Sequence, residues 1–323
     1  MRLGLTLPPE DVPASEIARV SRRAESLGYE EAWSYERNFF DAFTPLAAAA
    51  PATSRLRLGT SIVPALTRPA GLLAMSAASL ADLAPGRFTL GLGVSTEAVV
   101  SGWMGLEWSR PVERTKEALV QVRALLAGER SGAFRLHRPP EAPVPIYLAA
   151  LGPRMLRLAG ELADGVLLFM AGPGVVPEVS RHAGRPMDTV ARVVTVTGSS
   201  RTAGADFAHR FIAFYATLPF YSRFLSGQGF QEEVAAIGRL WRDGDRAGAA
   251  GQVSEAMTRA LVWVAADPAA GELADRFAAA GLGCLDLWFM SPAESPEERR
   301  RDLEHALTAF KDAARRPAPA GGE

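Results

Sequence analysis

"TSRLRLGTSIVPALTRPAGLLAMSAASLADLAPGRFTLGLGVS", residues 53–95, reads as strand, helix, strand. Leu56–Val63 and Arg87–Gly93 are short apolar runs, and residues 69–83 between them form a helix-length stretch that opens on a proline suited to a first helical turn. Two strands joined through a helix lie parallel, with a right-handed crossover. The same alternation extends in both directions. "RLGLTL" (2–7) precedes an amphipathic stretch over 14–27 that stops at Gly28, and "EEAWSYE" (30–36) precedes a helix expected to begin at Thr44-Pro45, with Thr44 as its N-cap. Helix 110–126 ends before Gly128, and strands at 144–150 and 165–170 flank helix 153–163. Runs at 192–198 and 284–290 complete eight strands.

Eight such units predict an α/β fold, a closed (β/α)8 TIM barrel rather than an open doubly wound sheet. More than 80 residues, mostly helical in composition, separate strands seven and eight, so a helical insertion is expected there. One barrel domain is expected over residues 1–315, followed by a disordered tail (316–323) with nothing to bury. One strand is irregular. Gly59, Thr60 and Ser61 interrupt "RLRLGTSIVP" (55–64), which stops on Pro64. Small and polar residues weaken a strand, so the backbone there is expected to leave room for something close to it.

The 323 residues are 48% hydrophobic and 22% charged, with a formal net charge of -1. This is a soluble, globular composition without a basic block, which argues against nucleic-acid and anionic-membrane partners. A single cysteine, Cys284, excludes an intrachain disulfide and any C-x-x-C metal site, and fits a reducing cytoplasm. No metal site is expected. Neither a signal-like region nor a membrane-length apolar run is present, so a cytoplasmic location is expected.

In a barrel, chemistry sits at the C-terminal ends of the strands. That rule selects Leu7–Pro9, Tyr35–Asn38, Ser61–Pro64, Gly93–Glu97, Ala149–Pro153, Phe169–Gly172 and Met290. At these positions the sequence resembles the bacterial luciferase-like monooxygenase superfamily, and within it the coenzyme F420-dependent branch. The stretches that carry the resemblance are "SLGYEEAWSYE" (26–36), the 53–95 unit, "RPVERTKEALVQVRALLAGE" (110–129) and "PVPIYLAALGPRMLRLAGELADGVLL" (143–168). The combination of R-L-G-T, G-R-F-x-L-G-L-G and A-L-G-P-R-M-L is specific, whereas "FAAAGLGCLDLWF" (277–289) is less so.

The resemblance implies a (β/α)8 barrel that uses F420 or, alternatively, FMN. It places a non-prolyl cis peptide at Ser61-Ile62, behind the middle of the cofactor ring, with Gly59 and Pro64 beside it. It makes Gly93, Val94, Ser95 and Thr96 the loop around the ribityl and phosphate part, with Val94 where relatives often carry threonine. Ala149, Ala150, Gly152 and Pro153 form the other half of that cradle at a helix N-terminus. Arg154 is either a phosphate partner or a solvated surface arginine.

Relatives often carry an aspartate–histidine pair at the end of strand two, where this chain has Glu36 and Arg37, and none of its four histidines falls at a strand end. Glu36 is a candidate for cofactor contact or proton donation, and Arg37 for binding an anion or stabilising negative charge. The plain alternative is a Glu36–Arg37 surface pair. Tyr35 and Glu97 are the other proton-donor candidates. Trp103, Phe39 and Tyr221 are candidate substrate contacts from aromatic loops that suit either a large pocket or a dimer surface. Two functions follow. The first moves a hydride between reduced F420 and a C=C or C=N bond of a small molecule or modified peptide. The second is an FMN-dependent monooxygenase served by a separate reductase. A homodimer is expected in either case.

Overall fold

The computed structural model describes residues 1–9, 12–198, 200–266 and 271–311, so the expected tail lies outside the described residues. The first half holds β1 (Arg2–Leu7), α1 (Ile17–Leu27), β2 (Glu31–Ser34), α2 (Thr44–Ala49), β3 (Arg57–Thr60), β4 (Val63–Pro64), α3 (Ala70–Leu83), β5 (Phe88–Gly93) and α4 (Pro111–Leu126). Then come β6 (Ile146–Ala149), α5 (Pro153–Leu162), β7 (Gly165–Phe169), α6 (Val176–Ala183) and β8 (Asp188–Val196). The insertion follows with α7 (Arg201–Ala216), α8 (Pro219–Leu225), α9 (Gln231–Arg242), α10 (Arg246–Ala250), α11 (Glu255–Leu261), β9 (Val262–Val264) and α12 (Gly271–Ala279). β10 (Cys284–Met290) and α13 (Pro296–Ala309) end the described chain.

The strands run in the order β10-β1-β2-β3-β5-β6-β7-β8, and β10 also pairs with β8. The parallel sheet therefore closes on itself as a (β/α)8 barrel. Two features depart from the expected eight strands. The run at 56–63 is broken into β3 and β4, and β9 pairs beside the end of β8 (Val194↔Val262, Val196↔Val264). Three residues are too few to show a period of two, which is why β9 was not legible in the sequence.

The chain separates into two compact units. Residues 13–167 and 180–188 form one, cored by fully buried leucines such as Leu46, Leu58, Leu73, Leu90 and Leu119. Its loops are tied by polar clamps. α1 stops at Gly28, whose φ of 94° is the left-handed conformation that glycine accepts most readily. Glu25 then collects the N–H groups of Ser54, Arg55 and Leu56 at 3.0, 2.6 and 2.8 Å, just before β3. Burial pushes its carboxyl up, but those donors outweigh it and hold the group below its ordinary range. Arg87 of the G-R-F motif donates to the carbonyls of Leu56 (2.8 Å) and Ala50 (3.1 Å), a structural clamp on the same segment. The expected Thr44 cap is a correction: Asp41 does that work, accepting from the Phe43 and Thr44 N–H groups at 2.9 and 3.1 Å and from the Thr44 hydroxyl. Thr44 already lies within α2, so its backbone N–H needs an acceptor from upstream.

The other unit contains β1, residues 168–179 and the chain from Thr189 onward. β10 lies between β1 and β8 in register, Leu3↔Leu285 on one side and Asp286↔Arg192 on the other. Asp286 is fully buried, and it accepts from the Thr6 hydroxyl (3.0 Å) and from Arg192 Nε (2.9 Å). A buried carboxylate needs such partners, and these three side chains link β1, β8 and β10.

Candidate active site

The break between β3 and β4 is a bulge. Gly59 opposes Thr89 and Val63 opposes Leu92, so residues 60–62 face only residues 90–91. The Ser61-Ile62 peptide inside it is cis, the bond the resemblance selects, and Leu7-Pro8 is cis as well. The bulge is fixed from both sides by backbone bonds. Ser61 N–H donates to Ser34 O (2.6 Å), Glu36 N–H to Ile62 O (3.1 Å), and Ala65 N–H to Gly93 O (2.8 Å). The ends of β2 and β5 are thereby tied to the bulge, which leaves Ser61 and Ile62 half-buried.

Gly59 is a correction. A Cβ there would come within 2.2 Å of the Trp33 ring, its cross-strand neighbour, so the room goes to an indole and not to a cofactor. Trp33 Nε1 in turn donates to Glu31 at 2.9 Å, and Glu31 pairs with Arg57 at 2.7 Å. Pro64 is buried in β4 and pairs with Gly93, so it ends the bulge without presenting a surface.

Past β2, Glu36 is drawn into the protein. Its Oε1 accepts from Arg68 Nη2 at 2.9 Å and its Oε2 from the Ala42 N–H at 3.2 Å. The Arg68 guanidinium also lies 5.3 Å from the Phe43 ring. The alternative of a Glu36–Arg37 surface pair gives way to Glu36–Arg68. Arg37 turns instead to aromatic neighbours, with Nη1 donating to Tyr35 Oη (2.8 Å) and its guanidinium 5.5 and 5.3 Å from the Tyr35 and Phe39 rings. Arg68 carried no sequence signal, because "LTRPA" reads only as the lead into a helix.

The ends of β5 and β6 present small residues. A Cβ on Gly93 would approach Ile62 Cδ1 to 2.7 Å and the Ala149 Cβ to 3.0 Å, whereas one on Gly152 would meet nothing within 4 Å. Val94 and Thr96 are half-buried, and Ser95 adopts the left-handed region (φ 66°). Thr96 Oγ1 accepts from Val99 N–H at 3.4 Å, which leaves the hydroxyl proton for another acceptor. Glu97 is exposed at the start of the π-helical turn Ala98–Trp103. Ala150 is buried, its N–H bonded to Leu167 O (3.3 Å). Gly152 precedes α5 with no side-chain cap and Pro153 in its first turn, so the helix presents bare backbone donors. Arg154 is exposed and paired with Glu113 at 2.9 Å. Trp103 and Phe39 are 56% and 51% exposed, while Trp108 packs on Ala65, Leu66, Val100 and Ala118.

In the other unit, Tyr221 of α8 joins an aromatic cluster. Its ring lies 5.1 Å from Tyr215 and 6.0 Å from Phe169, and Trp288 of β10 is 6.0 Å from Phe169. Burial pushes the Tyr221 phenol up, with Tyr215 adding to the rise and Arg192 opposing it.

Small residues at the strand ends of a closed parallel barrel and an uncapped helix start mark the candidate site, and sequence comparison gives the family. The luciferase-like monooxygenase family model matches residues 1–282, and the chain belongs to that family. Within it, the chain is 33% identical over 227 residues to 5,10-methylenetetrahydromethanopterin reductase of Methanolobus tindarius, covering 67% of this chain and 64% of that protein. It is 35% identical over 189 residues to F420-dependent glucose-6-phosphate dehydrogenase of Beutenbergia cavernae, covering 52% of this chain and 56% of that protein. The chain thus spans less than two thirds of either relative. Among solved structures, coenzyme F420-dependent tetrahydromethanopterin reductase of Methanopyrus kandleri superposes with a TM-score of 0.74 over 97% of both chains at 24% identity, which establishes the shared fold.

Proposed function

We propose that this chain is an F420-dependent oxidoreductase that moves a hydride between the reduced deazaflavin and a C=C or C=N bond of an organic substrate. The observation that carries the reading is the half-buried Ser61-Ile62 bulge, with Ile62 packed against Gly93 at the end of β5, in a chain whose relatives include enzymes named for F420. The residues fit such a group. Gly93 and Ala149 give Ile62 room to pack at the ends of β5 and β6, so that the bulge could back a flat ring, and the uncapped α5 N-terminus with the Thr96 hydroxyl suits a phosphate. When bound, reduced F420 supplies the hydride.

The remaining work falls to the chain's own residues. The Ser61-Ile62 backbone, held by Ser34 and Glu36, would back one face of such a ring and leave the other for substrate. Tyr35 holds a proton at Oη, and the Arg37 N–H donated to that oxygen stabilises the oxyanion left after transfer. Exposed Glu97 is the second donor. Glu36 has both oxygens engaged and positions the β2 end. Hydride and proton together saturate the double bond, so no oxidant is consumed.

Titrating the purified chain separately with F420 and FMN, and following fluorescence quenching, tests the assignment. Saturable F420 binding with weaker or undetectable FMN binding is expected. Tight FMN binding without F420 binding overturns it in favour of a monooxygenase.

A further inference from the structure

The insertion carries a groove lined by none of the candidate site residues. α7, α8, the π-helical turn Ser226–Phe230 and α9 border a cavity of about 660 Å³, within the size range of small-molecule sites. Its wall has one sign of charge: Arg239 and Arg242 line it, and no aspartate or glutamate does. Among the described residues neither arginine has an ion-pair partner. The two stand three residues apart on α9, so they share a face, and like charges so placed repel each other. An anion between them relieves that repulsion.

Ser222 and Ser226, four residues apart, bring two hydroxyls to one side, and Gln231 adds an amide. Trp241 supplies an apolar wall, its indole kept in place by the Arg246 guanidinium 3.9 Å from the ring centre and by Phe214 at 6.3 Å. The groove is distinct from the aromatic cluster, because Tyr221 turns its ring to Phe169 and Tyr215 while its neighbour Ser222 lines the cavity.

We propose that this groove binds a small organic anion, a carboxylate or phosphate on an apolar body, through Arg239 and Arg242 with Ser222 and Ser226. The anionic head sits between the guanidiniums and the apolar body lies on Trp241. Charge-assisted bonds to planar guanidinium groups favour both head groups.

Isothermal titration of the full chain with benzoate, phenyl phosphate and inorganic phosphate tests this. Saturable binding of benzoate or phenyl phosphate is expected, with inorganic phosphate at least tenfold weaker because it lacks the apolar body. Arg239→Ala with Arg242→Ala is expected to weaken phenyl phosphate at least tenfold while F420 binding stays as in the wild type. Benzyl alcohol, an uncharged analogue, tests the wild-type chain directly should that variant fold poorly. Absence of saturable binding of either organic anion, unchanged affinity in a folded double variant, or equal affinity for benzyl alcohol and benzoate overturns the proposal.

Discussion

Thr60 Oγ1 donates to the Gly91 carbonyl at 2.8 Å and accepts the Gly91 N–H at 2.7 Å, so one side chain satisfies both backbone groups of a residue on the neighbouring strand. The bulge takes the β3 backbone out of register here, and the hydroxyl replaces the lost ladder bonds. Gly91 must be glycine in this arrangement, because a Cβ would lie 1.8 Å from Thr60 O. Thr60→Val is expected to strand two buried groups at about 1–3 kcal/mol each, whereas Thr60→Ser retains most of the stability. Gly91→Ala forces backbone apart and is expected to cost about 1–3 kcal/mol or more. Urea midpoints of the three variants check this, and a Thr60→Val midpoint equal to wild type would contradict it.

The Gly59–Trp33 contact makes a separable prediction. Gly59→Ala drives a methyl into the indole, so it is expected to destabilise the fold by about 1–3 kcal/mol. Trp33→Leu should recover part of that loss in the double variant, a coupling that a double-mutant cycle measures. Because the contact is packing, F420 affinity per folded molecule should stay at the wild-type value. Additive effects of the two substitutions would show that the glycine serves something other than the indole.

These contacts show which parts of the site a single sequence reveals. Strand and helix periods run through 53–95 apart from the break at 59–61, so the parallel barrel was legible there, as was the Gly28 stop of α1. The bulge was visible as a run of small residues, but the cause of each was not. Gly59 answers to an indole 26 residues earlier and Thr60 to a glycine 31 residues later, and no local pattern records such pairings. The Arg68–Glu36 pair was hidden for the same reason, since adjacent Arg37 offered itself as the obvious partner. Asp41 was not legible because Thr44 is an equally good cap by type; only the backbone decides which oxygen reaches the free N–H groups.

Asp41 gives the chain a pH dependence of known sign. Burial raises its carboxyl, but the Thr44 hydroxyl, the two backbone donors and the Arg68 charge outweigh this and hold it below its ordinary value. A carboxylate whose folded value is depressed contributes stability above the unfolded value, near about 3.9, and loses it as the pH falls through the folded one. Asp41→Asn is therefore expected to lower the melting temperature at neutral pH, with the gap to wild type closing as the pH drops below about 4. A gap of the same size at pH values below that range would remove the charge from the explanation.

The Glu36–Arg68 pair decides whether the end of β2 donates a proton or only holds shape. Glu36 spends one oxygen on Arg68 and the other on the Ala42 N–H, and its side chain is 9% exposed. A carboxylate so engaged anchors the β2 end to the segment before α3, while its backbone N–H holds the bulge through Ile62. Glu36→Gln keeps an acceptor for Ala42 and loses the charge, so weaker F420 binding is expected together with a pH–rate profile of unchanged shape. Arg68→Met leaves a mostly buried carboxylate without its cation and should cost about 1–3 kcal/mol. Arg68→Lys should restore most of the stability, because an ammonium still reaches Glu36. The arginine's Nε, buried without a hydrogen-bond partner, is then no longer present to be desolvated. An acid limb that moves in Glu36→Gln while F420 affinity holds would instead make Glu36 the proton donor and return Tyr35 to a packing role.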